Sequence, residues 1–338
     1  MNHYRGPLYS SKTKSVNPKD NEIIRISQKY YSRILTLLLI HCNTCIRTMD
    51  EPKLQHPRTQ WIDAHHHLWR YSEAEYPWMS AQMQAIRRDF SVHDLAIEAN
   101  VSGVTGTVAV QARQSVEETE WLLTVAQSSL LVKGVVGWVP LIDPNVTEWL
   151  DKWKSNPLLK GVRHILHDEA DDEYMLRPDF NAGIRALMSY GLRYDLLIFE
   201  RHLPQTISFV DQHPNQVFIL DHIAKPRIRD GALDPWRINI SRLAERPHVY
   251  CKLSGMATEA NVDNWNSDTL KPYFDHVLEA FGPSRIMFGS DWPVLNLASS
   301  YATWVQIVDQ WLSNLNKAEA DAIRRDTAIR IYGLDPQL

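Results

Sequence analysis

Five residues of this chain combine types that move protons or hold cations with positions that would bring them together. The segment Asp63-Ala64-His65-His66-His67-Leu68-Trp69 sets three imidazoles in a row. In an extended segment alternate side chains share a face, so His65 and His67 converge while His66 points away. Two imidazoles on one face make half of a site for Zn²⁺ or a similar ion; the alternative is a chance cluster on a loop. Asp291 lies in Gly289-Ser290-Asp291-Trp292-Pro293, directly after the apolar run Ile286-Met287-Phe288. Beside a cation or an imidazolium its carboxylate stays ionised, and it can ligate the ion or take a proton from water. The plainer role for an Asp before such a turn is a helix N-cap. His202 and His222 each follow a further apolar run, and each alone suits a structural role as well as a catalytic one. Together with His65, His67 and Asp291 they fall after the first, fifth, sixth and last runs, a pattern that gathers them at one pocket. Arg163 ends Gly161-Val162-Arg163-His164. Its guanidinium can fork onto a carboxylate or a polarised carbonyl, or pair with Asp168 or Glu169. Lys225 and Lys252 face either the pocket or the solvent.

These residues need a scaffold that collects strand ends. Short apolar runs at 61–65, 104–110, 134–139, 161–164, 192–198, 217–220, 249–253 and 286–288 read as strands. Between them, 116–131, 180–190, 203–213 and 270–281 carry the i, i+3, i+4 apolar spacing of helices. Strands alternating with helices imply parallel βαβ units and an α/β fold. No G-x-G-x-x-G follows the first strand, and polar chemistry recurs at many strand ends. Both features favour a closed (β/α)₈ TIM-type barrel over an open doubly wound sheet. The barrel is expected over residues 60–334. The tail from Tyr301 to Tyr332, with Trp304, Ile307, Val308 and Trp311 on one face, is expected to pack on the barrel exterior.

The chain has 338 residues, 44% hydrophobic and 22% charged, with a net charge of −4. That composition suits a globular cytoplasmic protein and gives no sign of a nucleic-acid or membrane surface. Twelve Trp and fourteen His suit a carbohydrate-like or metal-assisted site. Three Cys (Cys42, Cys45 and Cys251) are too few and too irregular for a disulfide framework. Residues 1–48 differ in character, with eight Lys/Arg against two acidic residues. The apolar run 34–40 is too short to span a bilayer. We expect a disordered N-terminal extension or a mis-called start, with Met49 as the true beginning; a targeting segment is the competing explanation.

The motifs Asp-Ala-His-His-His-Leu-Trp (63–69), Gly-Val-Arg-His-x-x-x-Asp-Glu (161–169) and Asp221-His222-x-x-Lys225-Pro226 resemble the sugar-lactonase branch of the amidohydrolase superfamily. So do Tyr-Asp-Leu-Leu (194–197), His202-Leu203-Pro204, Lys252-Leu253-Ser254-Gly255 and Gly-Ser-Asp-Trp-Pro (289–293). The likeness covers about residues 60 to 333. It implies a metal-dependent-hydrolase barrel that opens a lactone ring, most simply that of an aldonolactone. Asp291 is then the base, with His202 and His222 as catalytic histidines and His65, His67 and Asp291 as metal ligands. Arg163, Lys225, Trp69 and Trp292 would bind substrate, the two indoles as apolar walls. The slot that carries a bridging lysine in binuclear relatives holds Arg163-His164. The resemblance therefore implies one divalent ion (Zn²⁺ or Mn²⁺) or none. The segment Ile198-Phe199-Glu200-Arg201 departs from the more basic stretch of relatives, which leaves substrate preference open. The partner is a small-molecule lactone, and a homo-oligomer is compatible with the sequence. Three competing roles use the same residues: a metal-dependent decarboxylase of aromatic or muconate-like acids, a lactonase acting on a carboxylated ring lactone, and a binding protein on an inactive barrel.

Overall fold

The computed structural model describes residues 60–335. Residues 1–48, with Cys42 and Cys45 and the expectations stated for them, lie outside the described residues. Eight strands form one parallel sheet in sequence order: β1 (Trp61–His66), β2 (Val104–Val110), β3 (Val132–Gly137), β4 (Leu159–His164), β5 (Arg193–Leu196), β6 (Phe218–Leu220), β7 (Val249–Leu253) and β8 (Ile286–Phe288). The strand runs expected from sequence match these within a few residues. Helices α1 (Val92–Ser102), α2 (Val116–Gln127), α3 (Val146–Trp153), α4 (Pro178–Ser189), α5 (Leu203–Asp211) and α6 (Trp236–Ala244) return the chain between strands. The short α7 (Met256–Glu259) and the long α8 (Ser267–Phe281) join β7 to β8. Local chemistry sets several ends. Ser91 and Asp94 form a capping box that starts α1, and Gly103 closes it at φ +74°.

The sheet closes at the seam that matters for chemistry. The amide of Asp291 donates to the His65 carbonyl (2.8 Å), and the amide of His67 donates to the Trp292 carbonyl (2.7 Å). The backbone just beyond β8 is thus pinned to the end of β1. Behind the seam sits the buried carboxylate of Asp63. It accepts from the Ser290 amide (2.8 Å) and hydroxyl (2.6 Å), the Tyr301 hydroxyl (2.8 Å) and the His65 amide (3.0 Å).

Along β1 the partner of Asp63 is Thr107 and that of His66 is Ala109, so β1 carries one extra residue there. Such a bulge resets the alternation of side chains. Ile62 and Ala64 belong to the apolar cluster inside the barrel, and His65 follows Ala64 inward rather than outward. His66 turns away and meets the Thr107 hydroxyl (2.9 Å).

Inside the barrel, Ile62, Val108, Val136, Ile219 and Met287 form a lower layer. The C-terminal tail does not stay outside, contrary to expectation. Helix α9 (Tyr301–Leu312) covers the exterior through Trp304, Val308 and Trp311. The chain then runs through α10 (Lys317–Asp321), a π-helical turn (Ala322–Asp326) and α11 (Thr327–Tyr332). There Ala328, Ile331, Tyr332 and Leu334 join the inner apolar layer and stopper the N-terminal end of the barrel. Lys160, early in β4, holds the Gly333 carbonyl (2.8 Å), and Arg193, at the start of β5, holds that of Ile331. The periodicity of the tail showed one apolar face but not that its last turn would fill an open barrel end. Among the described residues no helix is long and apolar enough to cross a membrane.

Candidate active site

At mid-height the barrel interior turns from apolar to charged. Arg163 (β4), Asp195 (β5), Asp221 (just past β6) and Lys252 (β7) are all 2% exposed or less. Their charges balance pairwise. Lys252 Nζ lies 2.5 Å from Asp195 Oδ2 and 3.0 Å from Asp221 Oδ1, and Arg163 donates to Asp221 Oδ2 at 3.0 Å. The Tyr332 hydroxyl of the stopper donates to Asp195 (2.8 Å). Burial raises the Asp195 carboxyl to about 6 against the pull of Lys252. Burial also pushes Asp221 upward, but Lys252, His65 and Arg163 together drag it well below the ordinary carboxylate value.

On this charged floor stand the catalytic candidates. His67 Nε2 lies 3.3 Å from Asp291 Oδ1, His65 Nε2 lies 3.8 Å from the same oxygen, and His222 Nε2 also lies 3.8 Å from it. The two ring nitrogens of the β1 pair are 3.2 Å apart. His67 Nδ1 meets the Val110 carbonyl at 2.8 Å. That acceptor fixes the proton on Nδ1 and leaves the Nε2 lone pair facing Asp291. His65 has two consistent arrangements. With Lys252 donating to its Nδ1 (3.1 Å), Nε2 carries the proton and donates to His67. With Nδ1–H turned to Asp221 Oδ1 (3.2 Å), the Nε2 lone pair is free for a cation. Burial holds His65 and His222 well below the usual imidazole value, so both are neutral near pH 7. Asp291 is raised by burial, yet the facing His222 and His67 hold it below the ordinary carboxylate value. It is therefore ionised.

The chemistry of this donor set fits one small divalent ion. His65, His67 and Asp291 form a buried group of potential ligands. Ligand atoms arranged tetrahedrally at about 2.1 Å from Zn²⁺ stand roughly 3.4 Å from one another, and the separations here are 3.2, 3.3 and 3.8 Å. A second group, His65, Asp221 and His222, already has the Lys252 ammonium and the Arg163 guanidinium against its carboxylate.

Backbone strain places His222. Residues 222–225 hold φ of 53°, 49°, 64° and 47°, and Asp291 holds 60°. Left-handed conformations of non-glycine residues cost about 1 kcal/mol each, and they cluster where surrounding structure enforces them. Here the turn swings His222 over the floor, and Ser254 Oγ meets its Nδ1 at 2.9 Å. Gly255, at φ +67°, leaves room for the ring, since a Cβ there would stand 2.6 Å from His222 Nδ1. At Gly289 a Cβ would stand 2.8 Å from that of His65.

Above the floor opens a cavity of about 340 Å³. His67, His222, Asp291, Arg163 and Lys225 line it, as the sequence led us to expect. Three expected residues stand elsewhere. His202 is buried away from Asp291; its Nδ1 accepts from the Phe199 amide (3.1 Å) and its Nε2 meets Asp172 (2.9 Å). It thereby ties the start of α5 to the loop after β4. Trp69 and Trp292 sit behind the wall, both packed on Phe90, with the Trp69 indole N–H spent on the Arg88 carbonyl (2.8 Å). The aromatic wall is Trp78 instead, beside Met83, Val294 and Leu297. Arg163 pairs with Asp221, not with Asp168 or Glu169. Sequence reading missed the roles of Asp195, Asp221, His167 and Glu259 and left Lys252 open. A charged residue inside an apolar strand run, as in Tyr-Asp-Leu-Leu or Tyr-Cys-Lys-Leu, was the available signal.

Residues 62–334 match the amidohydrolase family. The chain belongs to that family. It is 40% identical over 287 residues to an L-fucono-1,5-lactonase of Burkholderia multivorans, covering 81% of this chain and 96% of that one. It is 37% identical over 274 residues to an L-fucono-1,5-lactonase of Burkholderia ambifaria, covering 80% and 92%. The structure superposes on a crystal structure of an amidohydrolase from Burkholderia multivorans with bound Zn at a TM-score of 0.79. The two share 39% identity over 82% of this chain and all of that one. This amidohydrolase chain is an enzyme of the kind that hydrolyses lactone esters.

Proposed function

We propose that the chain hydrolyses the ring ester of a sugar-derived lactone to the open hydroxy acid. One observation carries this reading. An ionised, buried Asp291 faces the imidazoles of His65, His67 and His222 at 3.3–3.8 Å on the floor of a sugar-sized cavity. The 40% identity to a protein named L-fucono-1,5-lactonase supports a lactone over a decarboxylated acid.

Ester hydrolysis needs a water nucleophile, a base for its proton and a donor to the developing oxyanion. Asp291 accepts the water proton and then returns it to the leaving ring oxygen. Arg163, locked by Asp221, and His222 line the cavity beside Asp291 and take the carbonyl end of the lactone. Trp78, Met83, Val294 and Leu297 take the apolar side of the sugar, and His167, Thr258 and Glu259 face its hydroxyls. A divalent ion held by His65, His67 and Asp291 would polarise the carbonyl and lower the pKa of water. We propose a cytoplasmic setting and assign the barrel domain to residues 60–334.

A pH-indicator screen of aldonolactones, aromatic-pathway lactones and benzoate-type acids, run on metal-stripped and metal-loaded protein, tests the reading. Acid release from aldonolactones is expected. Carbon dioxide release from an aromatic acid with no lactone turnover would overturn it.

A further inference from the structure

The cavity wall carries its charges in an unusual balance. Two cations line it, Arg163 and Lys225, against three carboxylates, Asp168, Glu259 and Asp291. Neither cation is free. Arg163 is held by Asp221 from beneath at 3.0 Å, and Lys225 Nζ lies 2.9 Å from Glu259 Oε1. The Lys225–Glu259 pair is mostly shielded from solvent, with side-chain exposures of 18% and 23%. Lys225 ends the left-handed turn that begins at His222, so its ammonium is set three residues from a catalytic candidate. Its place over the Phe199 ring (5.8 Å) restricts it further. Glu259 is the last residue of α7 and lies beside Thr258 on the same wall. The remaining wall imidazole near this pair, His167, is uncharged, since burial lowers it to about 3.

We propose that Glu259 is a specificity-determining residue: by neutralising Lys225 it closes the cavity to anions and reserves it for uncharged lactones. The inference rests on the lactone reading and adds a substrate class to it. A ring lactone is neutral, whereas a lactone bearing a free carboxylate is not. Hydrolysis adds water across the ester and releases one proton, so the product is also an anion. The same pair that excludes a carboxylated substrate therefore keeps the product from lingering. Without Glu259, the Lys225 ammonium would lose its direct partner and keep only the longer-range pull of Asp168 and Asp291, and one unpaired charge at a few ångströms in a partly desolvated wall changes anion binding by about tenfold. Rejection through placed charge is a common source of discrimination between similar ligands.

The test compares an aldonolactone with the matching aldarolactone, which carries one extra carboxylate, on wild type, Glu259→Gln and Lys225→Met. In Glu259→Gln the ratio of kcat/KM for the aldarolactone to that for the aldonolactone is expected to rise about tenfold. Inhibition by the aldonate product is expected to tighten by a similar factor, and both effects should weaken in 0.5 M salt. Lys225→Met should give no rise in the ratio, which separates the charge from a general loosening of the wall. Ratios and product inhibition within twofold of wild type in Glu259→Gln would overturn the proposal. Calorimetric titration with D-gluconate reads the filter without turnover. Tighter binding by Glu259→Gln supports it and equal binding opposes it, even if the wild type opens no lactone and the reading of the reaction itself fails.

Discussion

Two histidines that look alike in sequence make different contacts once folded. His222 and His202 each follow a strand, yet only His222 faces Asp291, at 3.8 Å. His202 spends both ring nitrogens on Phe199 and Asp172. Replacing His222 with Asn should lower kcat by about 10²-fold with a smaller change in KM, since it removes a group beside the reacting atoms. His202→Asn should leave kcat within several-fold of wild type and lower unfolding free energy by about 1–2 kcal/mol, the worth of buried hydrogen bonds left unmade. Steady-state kinetics and urea melts on both variants check this; a 10²-fold loss of kcat in His202→Asn would restore it to the catalytic set. Residue types and spacing made His65, His67 and Asp291 legible because a strand face and a strand end dictate where they point. They could not separate His202 from His222, because that choice lies in a left-handed turn, and nothing in Asp-His-Ile-Ala-Lys announces four consecutive positive φ values.

At the scale of elements, the strand runs were legible because parallel barrel strands are buried on both faces and read as short apolar stretches. Their polar interruptions were the harder part. Asp195 and Lys252 form the floor that holds His65, and they look like surface residues until the strands are closed around them. Gly255 shows how tightly the elements are fitted at the β7–α7 junction. Gly255→Ala should lose about 1–2 kcal/mol for its left-handed backbone. It should also lower kcat well beyond that of a stability-matched surface variant, because the new Cβ occupies the space of the His222 ring. Normal turnover in a folded Gly255→Ala protein would show that His222 can shift without consequence.

The described residues form a barrel stoppered by its own tail, and the stopper reaches the site through Tyr332, Asp195 and Lys252. Tyr332→Phe removes the hydroxyl that Asp195 accepts and is expected to lower unfolding free energy by about 1–3 kcal/mol, read from denaturant melts. An unchanged midpoint would mean that Asp195 is fully satisfied by Lys252. The long reach of that contact explains why it was not legible: positions 195 and 332 meet only after all eight strands have closed. A pH dependence follows from Glu118, which burial raises to about 7 although the amides of Arg113 and Ala112 donate to it. The folded chain holds this proton between about 4.5 and about 7 and the unfolded chain does not. Its contribution is full below pH 4.5 and is lost as pH rises through 7. Glu118→Gln should therefore gain on wild type in thermal stability between pH 5 and pH 8, and a constant difference across that range would refute the assignment. The central claim concerns Asp291 and the lactone ring, and the most direct measurement is acid release from an aldonolactone by wild type and Asp291→Asn side by side. The account expects saturable turnover by the wild type and a kcat lower by about 10³-fold in the variant with little change in KM; near-equal rates from the two proteins would contradict it.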